Sequence, residues 1–292
     1  MPAPKLVTFV HELSTWYPPG QAVEDLLTHM GSYTHVILGG WTPATPRDAA
    51  AAWADPNTIP ADAIDRFHAL GIEVVVAGGG AHDDPILADP GGGASFGRRL
   101  AEFAREHQLD GVQFHIESLA GFERGCATDW LIAATSAARS VLPAAKISHV
   151  GPAPAFADLF RDSYLAVEHA CGAAIDFYAV RYFDCGDPAR HQTSRWDDYE
   201  SLFQRASGWA SRTAIDELHA AGMPLDKLVV GKPCTPSDAR VAGYVAPERL
   251  AELVRQRRSS GAQLAGLMGW HWASDRKQLA GAWSRSVGQP LR

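Results

Sequence analysis

The stretch Leu109-Asp110-Gly111-Val112-Gln113-Phe114-His115-Ile116-Glu117 decides how this chain is read. Side chains alternate across a β-strand, so Gln113, His115 and Glu117 share one face while Val112, Phe114 and Ile116 share the other. Burying three polar groups on one side of an apolar strand is costly unless they line a cavity that uses them. The segment is therefore the candidate active centre, with Glu117 at the strand's C-terminal end.

Working outward, short apolar runs alternate with amphipathic stretches along the whole chain. Strands are predicted at Leu6–Val10, His35–Leu38, Glu73–Ala77, Gly111–Glu117, Lys146–Val150, Phe177–Phe183, Leu228–Val230 and Leu264–Trp270. Helices are clearest at Phe96–His107, Trp130–Val141, Ala206–Ala221 and Pro247–Ser259. Eight strands with intervening helices predict a (β/α)8 TIM barrel, whose usual size of about 250 residues suits this length. An open doubly wound sheet would place GxGxxG after its first strand. That position reads His11-Glu12-Leu13-Ser14-Thr15-Trp16, without such glycines. Gly78-Gly79-Gly80 follows the third strand, but Ala81-His82-Asp83-Asp84-Pro85 does not read as a helix opening; a turn beside the barrel mouth is expected. No linker or low-complexity segment divides the chain, so residues 1–292 are read as one domain.

Composition narrows the function classes. Of 292 residues, 46% are hydrophobic, enough for a substantial core, and 26 basic against 33 acidic residues give a net charge of −7. With no long basic run, a nucleic-acid partner is not expected. No apolar run approaches the roughly 20 residues of a membrane span. Met1-Pro2-Ala3-Pro4-Lys5 lacks the charged start and cleavage site of a signal peptide. Cys126, Cys171, Cys185 and Cys234 show no CxxC spacing, which reads as reduced thiols in a cytoplasmic protein rather than a disulfide framework or zinc knuckle.

The segment Asp110–Glu117 resembles the signature strand DGxDxDxE of the family 18 glycoside hydrolases, the chitinases and their relatives. Asp110, Gly111 and Glu117 match it, whereas Gln113 and His115 replace the two intermediate aspartates. Further resemblances follow in order. Val74–Gly79 resembles the third strand with its glycine pair. Ile147–Pro154 resembles the fifth strand of fungal-type members, often near THAPxAP. Ile175–Asp184 is similar to their sixth strand, typically ending in VQFYN. Leu228–Pro233 resembles the seventh, and Gly266–Trp270 the last, whose tryptophan floors the sugar site.

In that family the substrate supplies the nucleophile. The resemblance implies that Glu117 is the acid that protonates the glycosidic oxygen. It places His115 where an aspartate orients the substrate's acetamido group, Phe183 where a tyrosine donates a hydrogen bond to it, and Arg181 where a glutamine stands. A phenyl ring donates no hydrogen bond. The acid is thus retained without the apparatus that makes the acetamido group reactive, and ordinary chitin hydrolysis is not the expectation.

Glu117 is accordingly expected to be a general acid or base, or else a carboxylate satisfied inside a barrel network. For His115, a proton-transfer partnership with Glu117 stands beside a hydrogen-bonded core histidine. Arg181 either holds a substrate carboxylate or phosphate bidentately or pairs with Glu117 or Asp184. Trp270, with Met268 and Trp272 on the same side, is expected to form an apolar platform, and Trp270, Phe183 and Tyr182 to shield a cationic intermediate. Gln113, Asp184 and His149 complete the expected substrate-contacting set, with Asp110 in a supporting role. A metal reading rests on His11, Glu12, His82, Asp83, His115, Glu117, His149 and His271, all at or near strand ends. Their spacing is not diagnostic, so neither metal nor cofactor is expected.

The leading expectation is a chitinase-like barrel enzyme with an intracellular small-molecule substrate. Its reaction is hydrolysis of an unusual glycoside, or proton-driven cyclisation or isomerisation in biosynthesis. The alternatives are a conventional N-acetylglucosaminidase or chitinase, and a non-catalytic chitinase-like carbohydrate-binding protein.

Overall fold

A computed structural model describes residues 3–11, 13, 21–80, 84–186 and 194–291. Eight parallel strands close into a barrel in chain order: β1 (Lys5–Val10), β2 (His35–Trp41), β3 (Glu73–Gly79), β4 (Gly111–His115), β5 (Lys146–Pro152), β6 (Phe177–Arg181), β7 (Leu228–Pro233) and β8 (Gly266–Trp270). Closure is direct, with Lys5 of β1 opposite Gly266 of β8 and Thr8 opposite Gly269. The (β/α)8 expectation holds.

The period of two sorts each strand between two cores. Val7, Phe9, Ile37, Val75, Ala77, Val150, Phe177, Ala179, Val229 and Met268 fill the barrel interior. Leu6, Val36, Val74, Val112, Phe114, Ile147, Tyr178, Val180, Val230 and Leu267 face outward and pack under the helices. Each large apolar side chain so buried contributes roughly 1.5–3 kcal/mol. Because Val112 and Phe114 belong to the outer core, Gln113 and His115 project into the barrel.

The outer layer includes Gly93–Glu106, Ala127–Val141 and Pro247–Ser259, close to their predicted spans. Three differences bear on the sequence reading. The helix expected over residues 206–221 contracts to Ile215–Ala220. Gly208 takes a left-handed φ of +68°, and the Glu217 carboxylate accepts from the backbone N–H groups of Ala206 and Ala214, which fixes a loop before the helix. After the glycine run a short helix, Pro85–Ala88, does form: proline suits its first turn, and Asp84 Oδ1 caps Ile86 N and Leu87 N at 3.1 Å. Finally, β4 and β6 end at His115 and Arg181, so Glu117 and Phe183 lie just beyond the ladders.

Candidate active site

The barrel mouth is built from β1, β4, β6 and β8. In β4, Gln113 Nε2 donates to Ser148 Oγ at 3.0 Å, tying the strand to β5. Two residues on, the buried His115 ring packs against Phe9 (centroids 5.0 Å apart) and Trp270 (5.5 Å). Its Nε2 stands 3.0 Å from Glu117 Oε1, off the axis of a well-formed hydrogen bond. Room for this turn comes from Gly79 at the end of β3. A Cβ there would meet the His115 carbonyl oxygen at 2.4 Å, and the backbone φ is +97°.

Arg181 reaches inward from β6 and brings Nη1 to 3.3 Å from Glu117 Oε2. Its guanidinium lies 4.9 Å from the Phe183 ring centroid, a cation–π contact on a side chain only 5% exposed. Glu117 therefore has a basic group against each oxygen, and 12% of its side chain remains exposed. Burial works to raise its pKa. The guanidinium of Arg181, with His115 and His11, outweighs burial and holds the carboxyl well below the usual carboxylate range. At rest Glu117 is an ionised carboxylate.

Trp270 is the hub of the apolar wall, with Phe9 at 5.0 Å, His11 at 4.8 Å and Phe183 at 6.3 Å between centroids. The Trp270–His271 peptide is cis. His271 stands 6.0 Å from His11 and brings Nε2 to 3.7 Å from Asp238 Oδ1. Burial, together with His115 and His271, pushes the His11 pKa down to about 3. His11 therefore stands neutral in the wall of the site.

The structure thus brings together Glu117, His115, Arg181, Phe183 and Trp270, while Gln113, on the same inward face, is fully buried and held on Ser148. It separates the others. His149 faces outward under the helix Ala127–Val141, where its Nε2 meets Thr135 Oγ1 at 3.0 Å and its ring packs on Phe114 and Tyr164. Tyr182 also faces outward: its hydroxyl donates to the Thr213 carbonyl at 2.7 Å and its ring packs on Trp196. Trp272 lies in the outer core and Met268 in the inner one, so they do not share a side. In each case alternation along the strand, or its loss past the strand end, decides the face.

Asp184 does not pair with Arg181. Its carboxylate accepts from Arg240 N (3.0 Å) and Val241 N (2.8 Å), pinning the segment after β7 above Phe183. Asp110 sits at the opposite, N-terminal end of the barrel, accepting from Val74 N at 2.7 Å and meeting His68 Nε2 at 2.8 Å. Of the metal set, Glu12, His82 and Asp83 lie outside the described residues. Among the described residues no group of three or more His, Cys, Asp or Glu is arranged to hold a metal ion.

Phe9 and Ser148 were not singled out from sequence, and His11 and His271 entered only through the metal reading. Period-two alternation from Val7 through Phe9 to His11 was the available signal for the first strand.

No family profile and no curated protein matches the sequence. Solved structures do. The chain is similar to a family 18 chitinase from Pseudoalteromonas aurantia, at 21% identity and a TM-score of 0.76, covering 98% of this chain and 99% of that one. It is similar to a fungal endo-β-N-acetylglucosaminidase of family 18, at 18% identity and a TM-score of 0.72, covering 99% and 98%. It is also similar to YKL-39, solved in the presence of chitooligosaccharides, at 12% identity and a TM-score of 0.67, covering 98% and 99%. The chain has the chitinase-like barrel fold of the family 18 glycoside hydrolases.

Proposed function

We propose that this chain is an acid/base enzyme acting on a small molecule, with Glu117 as the proton-handling carboxylate and His115 as its partner. The observation that carries this reading is the position of Glu117. It lies just past the C-terminal end of a barrel strand, with imidazole and guanidinium groups against its two oxygens and a partly exposed Trp270 against that imidazole. Active sites of (β/α)8 enzymes lie at that end.

Neighbours of this fold include enzymes described as a chitinase and an endo-β-N-acetylglucosaminidase, which supports a sugar-like or other polar substrate. Ordinary chitin hydrolysis fits poorly. Glu117 rests ionised rather than as a proton donor, and the Phe183 ring lies on Arg181 where the family resemblance calls for a hydroxyl. The reading is hydrolysis of an unusual glycoside, or cyclisation or isomerisation driven by proton transfer in a biosynthetic sequence. In either case Glu117 starts as a base, and it becomes an acid only once its contact with Arg181 is relaxed. Four cysteines, all unpaired, suit a reducing cytoplasm.

The test is comparative metabolite conversion. Small-molecule extract of the source cells is incubated with the wild-type protein, Glu117→Gln and His115→Gln, and products are followed by mass spectrometry. A conversion made by the wild type and lost in Glu117→Gln supports the proposal. Equal conversion by Glu117→Gln overturns it, and so does turnover of a chromogenic chitobioside lost in the same variant, which would make the protein a conventional chitinase. Chitooligosaccharide binding with no conversion at all would leave a carbohydrate-binding protein.

A further inference from the structure

We propose that Arg181 is the docking point for an anionic substituent of the substrate, a compact oxyanion such as a carboxylate, whose arrival displaces Glu117 from its ion pair. This deepens the acid/base reading and rests on it. Little of the donor capacity of Arg181 is used in the resting site. A guanidinium offers five N–H donors in a planar fork suited to bidentate oxyanion recognition. Here Nη1 makes a single contact with Glu117 Oε2, at 3.3 Å, longer than a strong charge-assisted hydrogen bond. The Arg181 Nε is buried and has no hydrogen-bond partner among the described residues. Leaving a charged donor buried and unpaired is costly.

The surroundings point the same way. The Phe183 ring backs the guanidinium and fixes its plane. Glu117 keeps part of its side chain exposed, and Trp270 and His271 are only half-buried, so the pair can be approached from the mouth. A buried Arg–Glu pair is weak evidence of a purely stabilising role, because well-packed apolar residues often do as well. A pair with one loose contact and an unused donor is better explained as a place held for a stronger anion.

Displacement has a chemical consequence. The groups facing Glu117 are His11 just past β1, His115 from its own segment and Arg181 from β6, with His271 behind His11. Once a substrate anion occupies Arg181, the guanidinium charge is neutralised and a second negative charge stands nearby. Burial, which already opposes ionisation of Glu117, then prevails, and the carboxylate takes up a proton from solvent. Anion binding and proton uptake are thereby linked, each favouring the other. The site would acquire its general acid only when a correctly charged substrate is present.

The experiment is titration calorimetry with D-glucuronate, glucose 6-phosphate and glucose, near pH 6, in two cationic buffers of different ionisation enthalpy. At least one anion should bind where glucose does not, with close to one proton taken up per anion; which anion binds distinguishes carboxylate from phosphoryl recognition. Arg181→Gln should weaken anion binding about tenfold or more, and Arg181→Lys, which keeps the charge without the fork, should fall between. Glu117→Gln should bind the anion about tenfold more tightly, because the internal competitor is gone, and without proton uptake.

The proposal is overturned if neither anion binds, if glucose binds equally, if Arg181→Gln changes nothing, or if Glu117→Gln weakens anion binding. Folding of each variant is checked by its near-ultraviolet dichroism. Should anion binding behave as expected while Glu117→Gln leaves metabolite conversion intact, the anion site stands and the acid/base reading falls. Should conversion depend on Glu117 with no anion bound, the reverse holds.

Discussion

Arg181 of β6 and Glu117 beyond β4 meet across the barrel mouth at 3.3 Å, joining two segments 64 positions apart in one charge pair. The pair, rather than either residue, sets the resting state of the site: with the guanidinium in place, the buried carboxyl stays ionised.

Removing one partner should therefore cost more than removing both charges. Arg181→Gln leaves a largely buried carboxylate facing only histidines and is expected to destabilise the fold by about 3 kcal/mol. The double variant Arg181→Gln, Glu117→Gln should recover part of that loss. Chemical denaturation of both single variants and the double one gives the coupling; simple additivity would show that the pair carries no interaction.

Acid should weaken the protein in two overlapping windows. His11 and His149 are held neutral by burial, each with a pKa pushed down to about 3. Between that value and the ordinary imidazole range near 6.5, the unfolded chain binds protons that the native state refuses, so stability rises with pH across this interval and falls as pH drops. Glu117 acts in the same direction at lower pH. Its depressed native pKa stabilises above about 4.3, and that contribution is lost as the pH falls towards the native value. Urea midpoints measured from neutral to acid pH should decline from about pH 6.5 downward. His149→Gln, remote from the mouth, should flatten the upper part of that slope; an unchanged slope would remove His149 from the account.

Lys232 should prove a structural clamp. Its fully buried Nζ donates to the carbonyls of Tyr182 (3.0 Å), Trp196 (2.8 Å) and Gly243 (3.0 Å), and burial pulls its pKa down to about 7. Lys232→Met would strand three carbonyls and should cost about 2–4 kcal/mol. Amide exchange should accelerate around residues 240–244, which Lys232 and Asp184 hold above Phe183. Faster exchange spread evenly over the barrel would instead point to global loss.

A methyl group on β3 should be felt at the acid/base pair. Gly79→Ala must place a Cβ against the His115 carbonyl at a φ of +97°, which few residues other than glycine tolerate. A loss of about 1–3 kcal/mol is expected, with displaced His115 imidazole resonances in the NMR spectrum. Normal stability with unmoved resonances would mean that the barrel mouth is far more compliant than its packing indicates.

The barrel itself was legible along the chain. A residue's face on a strand is a local property, and eight apolar runs with helical patterns between them leave few ways to bury two faces of a sheet. The same alternation places Gln113 and His115 inward and Val112 and Phe114 outward. It failed where regular backbone ends. Trp272 follows the end of β8 and turned to the outer core, whereas Tyr182, next to the inward Arg181, faces outward as alternation requires. His149 shows a different limit: chemistry-bearing residue types invite a functional reading, yet its strand position already pointed away from the mouth.

What the amino-acid order determined by itself was the architecture and the presence of Glu117 at a strand end, because periodicity and strand length are written locally. What only the tertiary structure decided was the company Glu117 keeps. The sequence leaves Arg181 open between holding a substrate and pairing with Glu117 or Asp184; closing the barrel sets it against Glu117 and sends Asp184 to the backbone of residues 240–241. The physical reason is range: a carboxyl's protonation depends on charges and burial within a few ångströms, and those neighbours come from strands that meet only when the sheet closes.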